Sequence, residues 1–304
     1  MKTRIYFFGV VLAALALTFT ACRKNNLTDY TSDFTTASDD NARLTNASDN
    51  LENDENTVMD ATPELSVRNN PLCNATITLD TVSNPRVCTI TYNGGLNCNG
   101  NLKMEGVMML KIAQGVHWKD AGAVLTVTFQ NLKITRVSDN KSIILNGDKV
   151  HTNVSGGLVK DLATLGTITR TITSNDLSIT FDDGTTRTWS LAKQRVFTYD
   201  NGVVVSTTGT GTEGGFSNIS EWGTTRNGQE FYGQIMSAMT VRQDCNWRIT
   251  AGQKVFHKMQ RDLTVTFGLD ANGAATSCPG TGTYYLKADW TDAHGTAHSV
   301  IRPY

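Results

Sequence analysis

The stretch "VVVSTTGTGTEGGF", residues 203–216, decides between two folds. Gly209, Gly211 and Gly214 stand in the G-x-G-x-x-G spacing of a dinucleotide-binding turn. A β-branched run precedes them, and Glu230 lies about where a ribose-binding acid would fall. Such a turn works because a helix begins at it, so that free backbone N–H groups and the positive end of the helix dipole meet the pyrophosphate. Here the chain continues "GFSNISEWGTTRNGQ" (215–229), which has no helical period and runs into an Asn-Gly turn. A Gly/Thr-rich connection between strands accounts for the spacing, and the nucleotide reading fails.

Outward from this stretch the period is two. "ATITL" (75–79), "CTITY" (88–92), "LTVTF" (125–129), "LSITF" (177–181) and "LTVTF" (263–267) each set an apolar or small residue, Val or Ile, and an apolar or aromatic residue on one face. The other face carries Thr or Ser, the pattern of a half-buried antiparallel strand with one wet side. Asn93-Gly94-Gly95, Asn146-Gly147-Asp148, Asp183-Gly184, Asn201-Gly202, Asn227-Gly228 and Asn272-Gly273 read as turns. The expected fold over 71–304 is all-β: an antiparallel meander of long strands closing into a sandwich or large roll. Leu158–Leu165 could add one or two helical turns.

The N-terminus reads as an export and anchoring signal. Lys2 and Arg4 precede an apolar run from Ile5 to Phe19 that is short for a membrane span and ends in "FTAC", with Ala21 before Cys22. Lipoprotein signals end this way, with Leu where Phe19 stands here. Residues 1–21 are thus expected to be a signal peptide and Cys22 the lipid-attachment site, which stably anchors the chain at a membrane. Arg23 in place of Asp after the cysteine favours an outer membrane, with the domain facing periplasm or cell surface. Residues 22–70 read as an acidic tether. In its second half Leu44, Ala47, Leu51 and Val58 repeat at helical intervals from about Ser38 to Met59, with Ser38 or Asp39 as N-cap and Pro63 as terminator. This helix either docks on the β domain or belongs to a solvated spacer.

Residues 23–70 hold ten acids against four bases, leaving 18 acids and 21 bases in 71–304, too balanced for a nucleic-acid footprint. Beyond Cys22, five cysteines remain, so one is left over if disulfides form. Cys88 alternates with Thr beside Ile90 and Tyr92 and reads as a buried small hydrophobe. Cys73–Cys98 and Cys245–Cys278 are the expected pairs, with Cys88–Cys98 the alternative.

Candidate chemistry is sparse. His294 and His298 lie four residues apart, roughly 13 Å along a strand, too far to share one ion unless the chain turns, so no metal is expected. His117, His151 and His257 are scattered singly and read as surface or rim residues. Asp182-Asp183-Gly184 is a hairpin tip, where Asp serves turn geometry. Glu213, Glu221 and Glu230 could supply a glycosidase-like carboxylate pair if strands brought them together. No nucleophile motif stands out, and neither cofactor nor catalysis is expected. Trp118, Trp222 and Trp290 each lie beside turn signals among polar residues. Gathered at one end they would stack on sugar faces; singly they would cap the core, the favoured reading. Trp189 and Trp247 look like ordinary strand residues.

The order of features resembles a group of uncharacterised all-β lipoproteins of Bacteroidota-type envelopes. The segments that carry it are "NGGLNCNGNLKMEG" (93–106), "LTVTFQNLKI" (125–134), "DGTTRTWS" (183–190), "GTTRNGQEFYGQI" (223–235) and "QDCNWRITAGQKV" (243–255). The resemblance implies a β fold and an envelope location, but no activity and no functional residue. The expected function is therefore that of a non-catalytic, lipid-anchored envelope protein that binds or scaffolds something. A surface glycan-binding module or adhesin is the alternative, and a glycan-active hydrolase the third reading.

Overall fold

The computed structural model describes residues 27–61, 70–245, 247–258, 261–276, 278, 283–292 and 294–304. The expected signal peptide and Cys22 lie outside them. The chain forms two compact units, Met1–Asn46 and Ala47–Tyr304. In the first, Arg43 pairs with Asp40 at 2.9 Å and with Asp39 at 3.4 Å.

Helix α1 spans Leu27–Ala61, longer than the expected 38–59. No proline or glycine interrupts this run, so nothing in the covalent chain confines the helix to the expected start at Ser38. Leu44, Ala47, Leu51 and Val58, the residues that set the helical period, are all buried, together with Met59.

Fifteen antiparallel strands follow: β1 (Ala75–Asp80), β2 (Arg86–Leu96), β3 (Leu102–Ile112), β4 (Ala123–Arg136), β5 (Ser142–Asn153), β6 (Thr167–Phe181), β7 (Thr186–Tyr199), β8 (Val203–Gly209), β9 (Gly211–Glu213), β10 (Phe216–Thr224), β11 (Glu230–Arg242), β12 (Arg248–Lys258), β13 (Arg261–Leu269), β14 (Tyr285–Thr291) and β15 (Ala297–Pro303). All belong to one sheet whose order follows the sequence, apart from β8 and β9. The meander is as expected, but its strands do not divide into the two sheets of a sandwich. One four-residue helix, α2 (Leu162–Leu165), lies within the expected 158–165 window; its Leu162 packs with Ile168, Phe197, Val203 and Val205.

Four of the six expected turns connect elements or follow a strand end. The other two lie inside strands: Asn93-Gly94-Gly95 within β2, and Asn146-Gly147-Asp148 within β5, where the β5–β6 register shifts between Asn146 and Lys149. Gly147 takes φ +118° there, so the sequence signal for positive φ was read correctly but belongs to a bulge.

Between β7 and β11 two strands share one place. The first part of β7 pairs with β10 and the second with β8, and β11 likewise pairs with both. The chain passes close to itself where β8 ends. A Cβ on Gly209 would lie 2.0 Å from the backbone oxygen of Asn218, so this glycine serves the crossing and not a phosphate. Two disulfides tie the chain as expected, Cys73–Cys98 with Cα atoms 5.3 Å apart and Cys245–Cys278 at 5.9 Å, while Cys88 is a buried free thiol whose pKa burial pushes up to about 12.

Gly209→Ala forces backbone apart and should cost about 3 kcal/mol. Gly228→Ala in the open β10–β11 turn meets no atom within 4 Å and should cost about 1 kcal/mol from its positive φ alone. Urea unfolding of both variants checks this; equal losses would contradict the crossing.

Candidate functional site

Cross-strand register sorts the side chains into two faces. One row runs Cys88, Leu110, Val127, Lys149, Ser174, Leu191, Glu221, Gly233, Phe256, Leu263, Trp290 from β2 to β14. This inner face is apolar toward its two ends and charged in the middle. Directly beside that row lie His151, Ile172 and Lys193, then Asn153, Arg170 and Arg195. Apart from Arg195, which is partly exposed, the polar members of these three rows are buried.

Residues 49–60 of α1 supply the partners of Lys149, His151, Arg170 and Arg195. Arg195 pairs with Asp49 at 2.7 Å and Glu52 at 2.6 Å. Lys149 pairs with Glu55 at 2.8 Å, His151 lies 3.4 Å from the same carboxylate, and Arg170 donates to Asn56. On the other side of the helix Tyr92 donates to Asp54 at 2.9 Å and Asn97 donates to Asn50 at 3.2 Å. Neighbours Asp49 and Asn50 thus reach β7 and the end of β2, five positions apart in the sheet. Residues a single helical step apart can do this only if the sheet curls around them.

Burial and charge set the protonation of this interior. Burial raises Glu55 to about 7 despite Lys149, and raises Asp54 to about 6 despite its bond from Tyr92. Burial, with the surrounding cations, holds His151 well below its usual range, so it is neutral. Glu52 is also raised by burial, but Arg195 and Lys149 override this and lower it.

Further along the inner face, burial would raise Glu221, but Lys254, Lys193 and the indole N–H of Trp189 pull it down to about 2. Burial lowers Lys193 to about 8. A Cβ on Gly233 would lie 2.8 Å from both Glu221 Cγ and Lys254 Cε, so that glycine opens the space in which the pair meets.

The outer face has a different chemistry. Trp222, Tyr232, His257 and Asp262 lie in one row across β10–β13. Phe216, from the start of β10, stacks on the His257 ring with centroids 3.8 Å apart and planes within 6°. His257 is buried beneath it and held at both nitrogens, by Asp262 at 2.7 Å and Gln234 at 3.0 Å. A Cβ on Gly214 would fall 2.6 Å from the Tyr232 ring, so the β9–β10 hairpin rests on that ring.

The expected site residues separate on these faces. Trp118 is buried at 2% exposure beneath the Arg170 guanidinium and caps the core; it cannot stack on a ligand. Trp222 and Trp290 are half-buried, but the register sets Trp222 with Tyr232 on the outer face and Trp290 with Leu263 on the inner one. The three tryptophans therefore do not converge. Glu221 is interior and Glu230 lies on the outer face with Tyr232, so these two do not form a pair, while Glu213 is exposed on β9.

His151 and His257 are buried, not rim residues: His151 lies among the interior charges beside Glu55, and His257 is covered by the Phe216 ring on the outer face. Trp247 lies outside the strands, 43% exposed, at φ +59°. His298 bonds Asp292 at 3.1 Å and stacks on Trp290, while His294 is exposed in the turn. Asp244 lies beside the Cys245–Cys278 bridge, whose thiols are consumed, and pairs with Arg242.

No family model, curated protein or solved structure matches the chain.

Two carboxylates should give opposite pH slopes. Glu221 titrates near 2 when folded against 4.5 unfolded, so its contribution is full above 4.5 and lost as pH falls toward 2. Glu55 titrates near 7 when folded, so the stability it lends as a neutral acid is lost as pH rises from 4.5 through 7. Urea unfolding across pH should show the deficit of Glu221→Gln, about 3 kcal/mol at neutral pH, shrinking toward pH 2. Glu55→Gln should gain on the parent between pH 4.5 and 7. Parallel curves for both variants would contradict these assignments.

Proposed function

We propose that the chain is a non-catalytic, lipid-anchored protein of the cell envelope, attached through Cys22 at an outer membrane and acting there as a binding or scaffold domain. The observation that carries the reading is where the charged groups go. The interior glutamates are engaged by neighbouring side chains: Glu55 by Lys149, Glu52 by Arg195, and Glu221 by Lys254 and the Trp189 indole N–H. The first two hold the helix against the sheet and the third ties β7, β10 and β12 together; they are not arranged about a reacting atom. Residues 47–61 of the acidic segment are thereby part of the folded unit that contains the sheet.

The sequence supports the anchor and the envelope location through the "FTAC" ending and the resemblance to envelope lipoproteins. The two disulfides suit an oxidising compartment.

Expression with an alkyne fatty acid should label the parent protein and leave Cys22→Ala unlabelled, with the variant released from the membrane fraction. Undiminished label on the variant would overturn the anchor.

A further inference from the structure

We infer that the outer face of β10–β13 is a binding site for a neutral glycan, with Phe216 and Trp222 as the platforms on which pyranose rings stack. This rests on the reading of the chain as a binding domain and adds the ligand class.

The geometry of Phe216 is the first support. Its ring lies parallel to that of His257, and His257 is buried and fixed at both nitrogens. One face of the phenyl ring is therefore covered by the imidazole, and the residue as a whole is only half-buried, which leaves part of the ring accessible. A flat apolar face presented parallel to a polar surface matches the C–H face of a pyranose. Trp222 lies on the same side, directly opposite Tyr232 on β11, whose ring centroid is 6.1 Å from that of Phe216. With strands about 4.8 Å apart the aromatic row extends for roughly 10 Å, enough for more than one sugar ring.

The surrounding polar groups give the second support. Glu230, Gln234 and Asp262 border the row, and Glu213 stands on the adjoining hairpin. Carboxylates accept from hydroxyls, and an amide both accepts from and donates to them. This acidic border disfavours anionic glycans, phosphate groups and nucleic acids.

The site is also rigid before any ligand arrives. The hairpin that carries Phe216 rests through Gly214 on Tyr232, and Tyr232 itself donates to Glu230 at 3.0 Å. A preorganised surface loses little conformational entropy on binding.

The test uses the full chain in detergent and isothermal titration with cellohexaose, maltohexaose, xylohexaose and mannohexaose, and with an anionic oligogalacturonate. Binding of at least one neutral hexasaccharide is expected, weakened about tenfold or more by Phe216→Ala and by Trp222→Ala. Trp290→Ala, on the opposite face, should bind as the parent does. Phe216→Leu and Trp222→Leu keep apolar bulk without a flat ring and should weaken binding similarly, so an alanine variant that fails to fold does not end the test. Binding of none of the neutral sugars, binding of oligogalacturonate alone, or undiminished binding in the folded ring-removing variants would overturn the inference. Each of those results leaves the lipid-anchored reading standing, because the Cys22 label tests that separately.

Discussion

Arg170 and Arg195 sit directly opposite one another on β6 and β7, with Lys193 and His151 in the next row and Lys149 in the row beyond. Like charges placed face to face across antiparallel strands repel, and taking them out of water adds a desolvation cost. A sheet with this inner face cannot close over an apolar core alone. It needs carboxyl groups delivered to the interior at the right spacing, and residues 47–61 supply five acids and no base. Asp49 and Glu52, three apart, share Arg195, while Glu55, one turn further, reaches Lys149. The curl of β2–β7 around the helix follows from the same requirement.

Magnitudes assign different tasks to the apolar and charged contacts. Leu51, Val58 and Met59 are buried to 1% exposure or less, and each should stabilise by about 1.5–3 kcal/mol. The ion pairs give back much of their Coulomb energy as desolvation. Apolar burial therefore holds this half of α1 in place, and the pairs select its register and rotation. The charged middle of the sheet turns inward, while the aromatic row with Thr, Gln and carboxylate neighbours turns outward. A recognition surface on the outer face is then independent of the interior charges.

The strand pattern was legible because alternation needs only local sequence: "LTVTF" and "LSITF" alternate buried and less buried residues as they stand. The disulfides were legible from the same alternation, which sets Cys88 inside. Where the reading failed, it failed for long-range reasons. Whether the Asn-Gly of 146–147 makes a hairpin or a bulge depends on the register of β6. Whether Trp222 and Trp290 share a face depends on counting across four strand pairs. The interior charges leave a trace in the sequence: Lys149 and His151, and Lys193 and Arg195, stand two apart in strands, at positions where alternation demands burial. The acidic helix, for which docking and a solvated spacer both stood open, is the other half of that pattern. The outer platform left none, because Phe216 and His257 are 41 residues apart and meet through the hairpin.

The central claim is that residues 47–61 of α1 belong to the folded core of the sheet. Native-state hydrogen exchange on the full chain tests it most directly. Amides of this segment should exchange as slowly as those of β5–β7 and open with them in one cooperative step as denaturant is added. Fast exchange of the helix while β5–β7 stays protected would show that the sheet holds its cations without it, and would contradict the account.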